Sequence, residues 1–254
     1  MPGDELATLK KCEGYYSCPR DSDGKPLGPL VGYAGTYDSD GEKKNYVGFE
    51  YFNFSKADQW PNVAQFFSDR MIRVFREREF DPVLNFVGGG GQRGSLILAG
   101  MPWAAVKFST IVGLQIGCPT VFPEKKTLKA ASSDMRDEEE LVFSRYDIEP
   151  GSDVIVMEEL VNNFSTTQKA LSLIERHGTR VLAIACAINR SFPLAKTYRS
   201  KSGYEIPIFS VVEVPTPQYR QDDPLVAEAI RQGNISWKPK TEWSRFDEAM
   251  IKYT

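Results

Sequence analysis

Histidine is almost missing from this chain of 254 residues: His177 stands alone. A catalytic triad would have to be built on that single ring, and a metal site with several histidine ligands is excluded. Cysteine is nearly as scarce. Cys12, Cys18, Cys118 and Cys186 show no CxxC spacing. Cys118 and Cys186 lie in apolar runs, where free cysteine behaves as a small core residue, and Cys12 with Cys18 reads as a reduced pair. No apolar run is long enough to span a bilayer, because the longest uncharged stretch, Phe108 to Pro123, is broken by Thr, Gln, Gly and Pro. The opening MPGDELATLKK has no apolar core of the kind a secretory leader needs. An excess of positive charge is absent too. Thirty-one basic residues against 34 acidic ones leave a net charge of −3, which removes the electrostatic footprint of a general nucleic-acid binder. These absences predict a soluble, cytoplasmic protein with neither nucleic acid nor membrane as partner. Its chemistry must come from carboxylates, lysines, arginines, hydroxyls and backbone amides.

Apolar residues are plentiful at 41%, enough for a core, and their spacing divides the chain into three parts. Residues 1–58 are rich in Gly, Tyr, Asp and Lys with alternating apolar positions, which predicts short strands joined by turns such as Asp40-Gly41. Residues 59–214 alternate between helical and strand-like patterns. Val63, Phe67, Met71, Val74 and Phe75 recur at helical spacing between Trp60 and Glu77, with Pro61 in the first turn. Strand-like runs fall at 82–87, 119–122, 153–157, 181–188 and 206–214, with the clearest helix at 166–177. Buried Val/Ile strands alternating with helices predict an α/β fold, a central parallel sheet of about five strands flanked by helices. Residues 215–254 read as a helix at 224–232 and a Trp-containing tail packed on the core, where Trp237 and Trp243 clamp it to that core or to a subunit interface. Arg220, Asp222 and Asp223 fit a turn leading to a helix cap, and His177 fits a helix C-terminus.

Two segments can carry chemistry. Gly88, Gly89, Gly90 and Gly91, followed by Gln92-Arg93-Gly94, lie at the expected C-terminal end of the 82–87 run, the edge where parallel sheets bind ligands. Glycine lets backbone N–H groups converge on an anion. A dinucleotide site wants an acid about 20 positions on, and none occurs between Arg93 and Glu124; the GK[ST] of a P-loop is also lacking. A different phosphate or diphosphate cradle is therefore expected. The second segment is VIVMEELVNNFSTT, residues 154–167. An apolar strand delivers Glu158 and Glu159, a polar turn follows, and a helix begins near Thr166. Helix amides and the hydroxyls of Ser165, Thr166 and Thr167 suit a phosphate. The two acids suit neighbouring ribose hydroxyls or positive charge developing on a sugar.

The order strand, acidic pair, polar turn, helix resembles the PRPP-binding motif of type I phosphoribosyltransferases, and most of all the orotate phosphoribosyltransferase branch. Four further segments fall in the family's order. KKNYVGFEYFN resembles its N-terminal hood and implies base contacts from Lys43 (or Lys44), Tyr51 and Phe52. GGGGQRG takes the place of the diphosphate loop. VFPEKK, with Lys125 and Lys126, resembles the start of a mobile lid continuing through the charged residues 132–140. Ala187-Ile-Asn-Arg190 matches a position for a base-binding arginine, Arg190. The resemblance implies the type I PRT fold with an N-terminal hood, and a homodimer. It places Asn162, Asn163, Ser165 and Thr166 around the 5-phosphate. Asn162 and Phe164 depart from the usual Thr and Gly. A phenylalanine resists positive φ, so its ring is expected to crowd that pocket.

The activity implied is transfer of ribose 5-phosphate from PRPP to an orotate-like pyrimidine base, with Mg²⁺ held mainly through the diphosphate. In that reading Glu158 and Glu159 favour the cationic sugar, and Lys125 and Lys126 neutralise the leaving group. Two alternatives stay open: a silent PRT-fold sensor that binds a nucleoside monophosphate, and a nucleotide hydrolase or phosphorylase using the same pocket.

Overall fold

The computed structural model describes residues 3–87, 96–103, 105–129 and 138–253. They fall into two units, one of residues 58–214 and one joining residues 1–57 to 215–254. In the first stretch, α1 (Gly3–Lys11) precedes β1 (Tyr15–Ser17), β2 (Leu30–Ser39), β3 (Glu42–Gly48), β4 (Glu50–Phe52) and α2 (Phe54–Ala57). β2 and β3 form the hairpin expected at Asp40-Gly41, where both residues take positive φ, 53° and 82°. That twist suits a two-residue hairpin turn.

The 58–214 unit runs through α3 (Pro61–Glu77), α4 (Asp81–Val87), β5 (Leu96–Gly100), α5 (Ala105–Ile116), β6 (Thr120–Val121), β7 (Glu124–Lys129) and β8 (Glu138–Val142). It continues with β9 (Asp153–Val161), α6 (Ser165–Arg176), β10 (Arg180–Asn189), β11 (Thr197–Arg199) and β12 (Glu205–Glu213). Six strands make the central sheet in the order β11-β12-β10-β9-β5-β6. Five are parallel, as expected, and β11 adds an antiparallel edge. α3 buries Val63, Phe67, Met71 and Phe75, the residues whose spacing predicted it, and packs on α5 and β12. α6 covers the opposite face, where Ala170, Leu171 and Ile174 meet Val154, Val156, Ile184 and Ile208. β7 and β8 pair with each other outside this sheet.

One predicted element changes type. Residues 82–87 form the helix α4 rather than a strand, opened by Asp81 and Pro82, residues favoured in a helix's first turn. Residues 88–95 therefore lead from a helix into the start of β5. Gly88, Gly89, Gly90 and Gly91 lie outside the described residues, but their place in the chain is corrected: they precede the sheet's first strand and do not follow one. Strand β5 itself, Leu96-Ile-Leu-Ala-Gly100, which lies between β9 and β6, was not anticipated.

The last stretch holds α7 (Ala227–Arg231), β13 (Ile235–Ser236) and α8 (Trp243–Tyr253). This corrects the expectation of a tail on the core. β13 extends the β2–β3 sheet, and Val226, Trp243 and Phe246 share an apolar cluster with Tyr16, Leu30, Val47 and Phe49. Trp237 lies across Gly32, where a Cβ would come within 2.2 Å of the indole. Among the described residues no helix is long and apolar enough to cross a membrane.

Candidate active site

The parallel strands, taken in chain order, lie 2-1-3-4-5 across the sheet, so the winding reverses between β5 and β9. In open parallel sheets a crevice forms at such a switch point, beyond the C-terminal ends of the strands. β5 stops at Gly100, paired with Met157, while β9 runs on to Val161 beside β10. Glu158 and Glu159 are thus the first residues of β9 past the end of β5, on the border of the crevice. The loop leaving β5 starts next to the residue before them: the Met101 amide donates to Met157 O at 2.9 Å, and Trp103, 76% exposed, follows. Gly100 has to be glycine here, since a Cβ would come within 2.2 Å of Ser109 Oγ on α5.

The two acids do not share surroundings. Neighbours on a strand point to opposite faces. Glu158 turns toward α6, where it is 4% exposed and Thr167 Oγ1 donates to its Oε1 at 3.3 Å. Burial, reinforced by Glu159, pushes its carboxyl up to about 8. Glu159 turns to the α3/α5 face; burial raises its carboxyl as well, with a smaller contribution from the charge of Asp58. Asp58 is itself buried, and Lys107 of α5 reaches it, Nζ standing 3.5 Å from Oδ1 and donating to its backbone O at 3.0 Å. The pair therefore reaches the crevice as one acid held near neutrality by burial and one whose charge is set beside an Asp–Lys couple.

After β9 the chain turns into α6 through Asn162, Asn163 and Phe164. Asn163 Oδ1 accepts from the Ser165 amide at 3.3 Å, while the N-cap residue, Phe164, offers no side-chain cap of its own. Phe164 takes the left-handed conformation, φ 60° and ψ 13°, at a cost of about 1–2 kcal/mol for an L-residue. This corrects the expectation that its ring crowds the phosphate pocket. The ring packs on the core and lies against Tyr198, centroids 5.0 Å apart. At the first turn of α6 a cavity of about 120 Å³ is lined by Ser165, Thr166, Lys169, Lys125, Glu140 and Leu141. Glu140 is held by Arg176 NH1 at 3.0 Å. Arg190 follows β10 at the same edge of the sheet, 6% exposed, with its amide donating to Val161 O at 2.8 Å.

Glu158, Glu159, Asn162, Asn163, Ser165, Thr166 and Arg190 thus share the C-terminal edge of the sheet, and Lys125 lines the cavity beside α6. Lys126 is next to it on β7 and does not line that cavity. Of the expected lid, Glu138–Glu140 belong to β8 and residues 132–137 lie outside the described residues. Lys43, Tyr51 and Phe52 belong to the other unit. There Lys43 is exposed on β3, Tyr51 packs against Trp243 and Phe246, and Phe52 stacks on Tyr15 at 4.8 Å. His177 ends α6, its Nδ1 2.9 Å from Leu173 O, and its ring meets Phe143 edge to face. All four cysteines are free. Sequence reasoning missed Asp58, Lys107, Lys169 and the loop 101–103. Only the last carried a local signal, a Gly-Met-Pro-Trp break after an apolar run. Among the described residues no three His, Cys, Asp or Glu side chains gather as a metal site.

No family model matches the sequence. The chain is 23% identical over 141 residues to orotate phosphoribosyltransferase of Chlorobium phaeobacteroides, an alignment covering 56% of this chain and 60% of that protein. It is 24% identical over 182 residues to orotate phosphoribosyltransferase of Caldanaerobacter subterraneus, covering 71% and 78%. Among solved structures it is similar to Leishmania donovani UMP synthase, with a TM-score of 0.49 and 15% identity over 99% of this chain and 42% of that one. For orotate phosphoribosyltransferase of Aeropyrum pernix the TM-score is 0.48, with 12% identity over 82% and 92%. The curated relatives bear out the resemblance drawn from the sequence, with orotate phosphoribosyltransferases as the proteins this chain is like.

Proposed function

We propose that this protein is a phosphoribosyltransferase that moves ribose 5-phosphate from PRPP to an orotate-like pyrimidine base. The observation that carries the reading is the meeting, at one switch point, of the β9 acids with a lysine-flanked cavity at the start of α6. Ser165, Thr166, Lys125 and Lys169 suit the 5-phosphate, with the helix dipole adding to the two ammonium charges. Asn162 and Asn163 shape the turn that leads to them.

Breaking the C1–O bond of PRPP sends its electron pair to the departing diphosphate and leaves positive charge on the ribose. Glu159, the acid less deeply buried, supplies the negative charge that favours this cationic sugar. Glu158, uncharged near neutrality, accepts from Thr167 and can donate its own proton to a ribose hydroxyl. Lys125 lies on the phosphate side; Lys126 is assigned to the leaving diphosphate. The base anion, oriented by Arg190, then bonds to C1. Mg²⁺ would be held mainly through the diphosphate of PRPP and would neutralise part of its charge. The assignment of Gly88, Gly89, Gly90 and Gly91 to the diphosphate loses its topological support, and the loop 101–103 is the better placed segment. A homodimer in the cytoplasm completes the proposal.

The silent-sensor alternative rests on Phe164 and Asn162: the Phe164 ring is turned onto Tyr198, and Asn162 still stands where the family has Thr. Calorimetric titration with PRPP–Mg²⁺, UMP and orotate, alongside a diphosphate-release assay, decides between them. Transfer requires PRPP affinity and orotate-dependent release, with Glu159→Gln lowering turnover by about 100-fold. UMP binding with no release under any condition would leave a sensor.

A further inference from the structure

An aromatic residue in a left-handed turn needs something outside the turn to keep it there. Glycine meets the same geometry without a side chain to place, whereas Phe164 has a ring that must be packed somewhere. The local supports are few: Asn163 Oδ1 accepts from the Ser165 amide at 3.3 Å, and the Gln168 amide closes the first helical turn on Phe164 O at 2.8 Å. The ring finds its partner far along the chain. Tyr198 lies on β11, the antiparallel edge strand, opposite Ile206 of β12; the two rings stand 5.0 Å apart and are inclined at 36°.

We propose that Tyr198 is a positioning residue for the phosphate turn, its ring holding Phe164 in the left-handed conformation that aims the first-turn amides and hydroxyls of α6 into the cavity. This rests on the phosphoribosyl reading of that cavity. Tyr198 does not line the cavity itself. It also connects two segments of the site, because the chain reaches β11 from the turn that begins at Arg190. Movement of that turn on base binding would be felt at the phosphate end through this pair of rings.

The experiment measures steady-state kinetics and amide hydrogen exchange on the full chain. Tyr198→Ala is expected to raise the KM for PRPP by about tenfold, the size of a lost ring–ring contact, with kcat within about twofold. Tyr198→Phe keeps the ring and should match the parent protein. In a Phe164→Gly background the same Tyr198→Ala change should shift KM by less than about twofold, because glycine needs no anchor. Equal losses in both backgrounds, or an unchanged KM in Tyr198→Ala, would overturn the proposal. Exchange over residues 164–168 needs no ligand: faster exchange in Tyr198→Ala supports the anchor, and unchanged exchange removes it. A parent protein that neither binds nor consumes PRPP would end the functional reading, while the exchange comparison would still decide the role of Tyr198.

Discussion

Glu158 and Glu159 are chemically identical neighbours, and the strand between them separates their surroundings. Glu158 lies under α6 with Thr167, and burial holds its carboxyl up at about 8. The folded protein therefore keeps a proton that the unfolded chain releases in the ordinary carboxylate range. Stability from this group is fully present below the ordinary carboxylate range and declines as pH rises from there to about 8, because over that window the unfolded chain gains by ionising while the folded state keeps its proton. Denaturant midpoints should fall between pH 5 and 8.5, and Glu158→Gln should flatten that slope. Because Gln resembles the protonated acid, the same substitution should also retain most of the activity at pH 7, in contrast to Glu159→Gln. A midpoint that rises with pH in the parent protein, and a Glu158→Gln variant as inactive as Glu159→Gln, would show that Glu158 works as a charged group. None of this division was visible in the dipeptide, since the two residues look alike until the faces of the sheet are known.

At the scale of elements, the alternation of β7 separates another pair. Lys125 lines the cavity at α6 and Lys126 does not, as opposite faces of one strand require. Lys125→Ala should raise the KM for PRPP by about tenfold, and raised salt should mimic part of the loss. Lys126→Ala should leave that KM within about twofold, any effect falling on diphosphate release. Equal effects on KM from both variants would place the phosphate elsewhere. β9 and α6 were legible in the sequence because each has a long, one-sided pattern. α4 was not: six residues with four apolar side chains satisfy either period, and only the packing of its neighbours chooses. That one short segment changes what precedes the tetraglycine in the chain, a helix in place of a strand.

For the molecule as a whole, the ends of the chain come together in one unit. Phe246 of α8 is fully buried and stacks on Tyr16 of β1 at 4.1 Å. Phe246→Ala should destabilise this unit by about 3–5 kcal/mol. Limited proteolysis followed by mass spectrometry should then show early cleavage within 1–57 and 215–254, with fragments of 58–214 persisting. Cleavage spread evenly over the chain would mean that the two units unfold as one.

Taken alone, the amino-acid order determined the parallel α/β class, the strand that delivers the acids and the helix that follows them. Each of these depends on periodicity and turn preference among residues close in the chain. Tertiary structure decided which sheet edge each loop joins, which acid is buried, how Phe164 can occupy a left-handed turn, and where the C-terminal residues pack. Those outcomes depend on strand order and on contacts between distant segments, such as Phe164 with Tyr198 or Asp58 with Lys107, and a local pattern carries no information about which distant partner will be there.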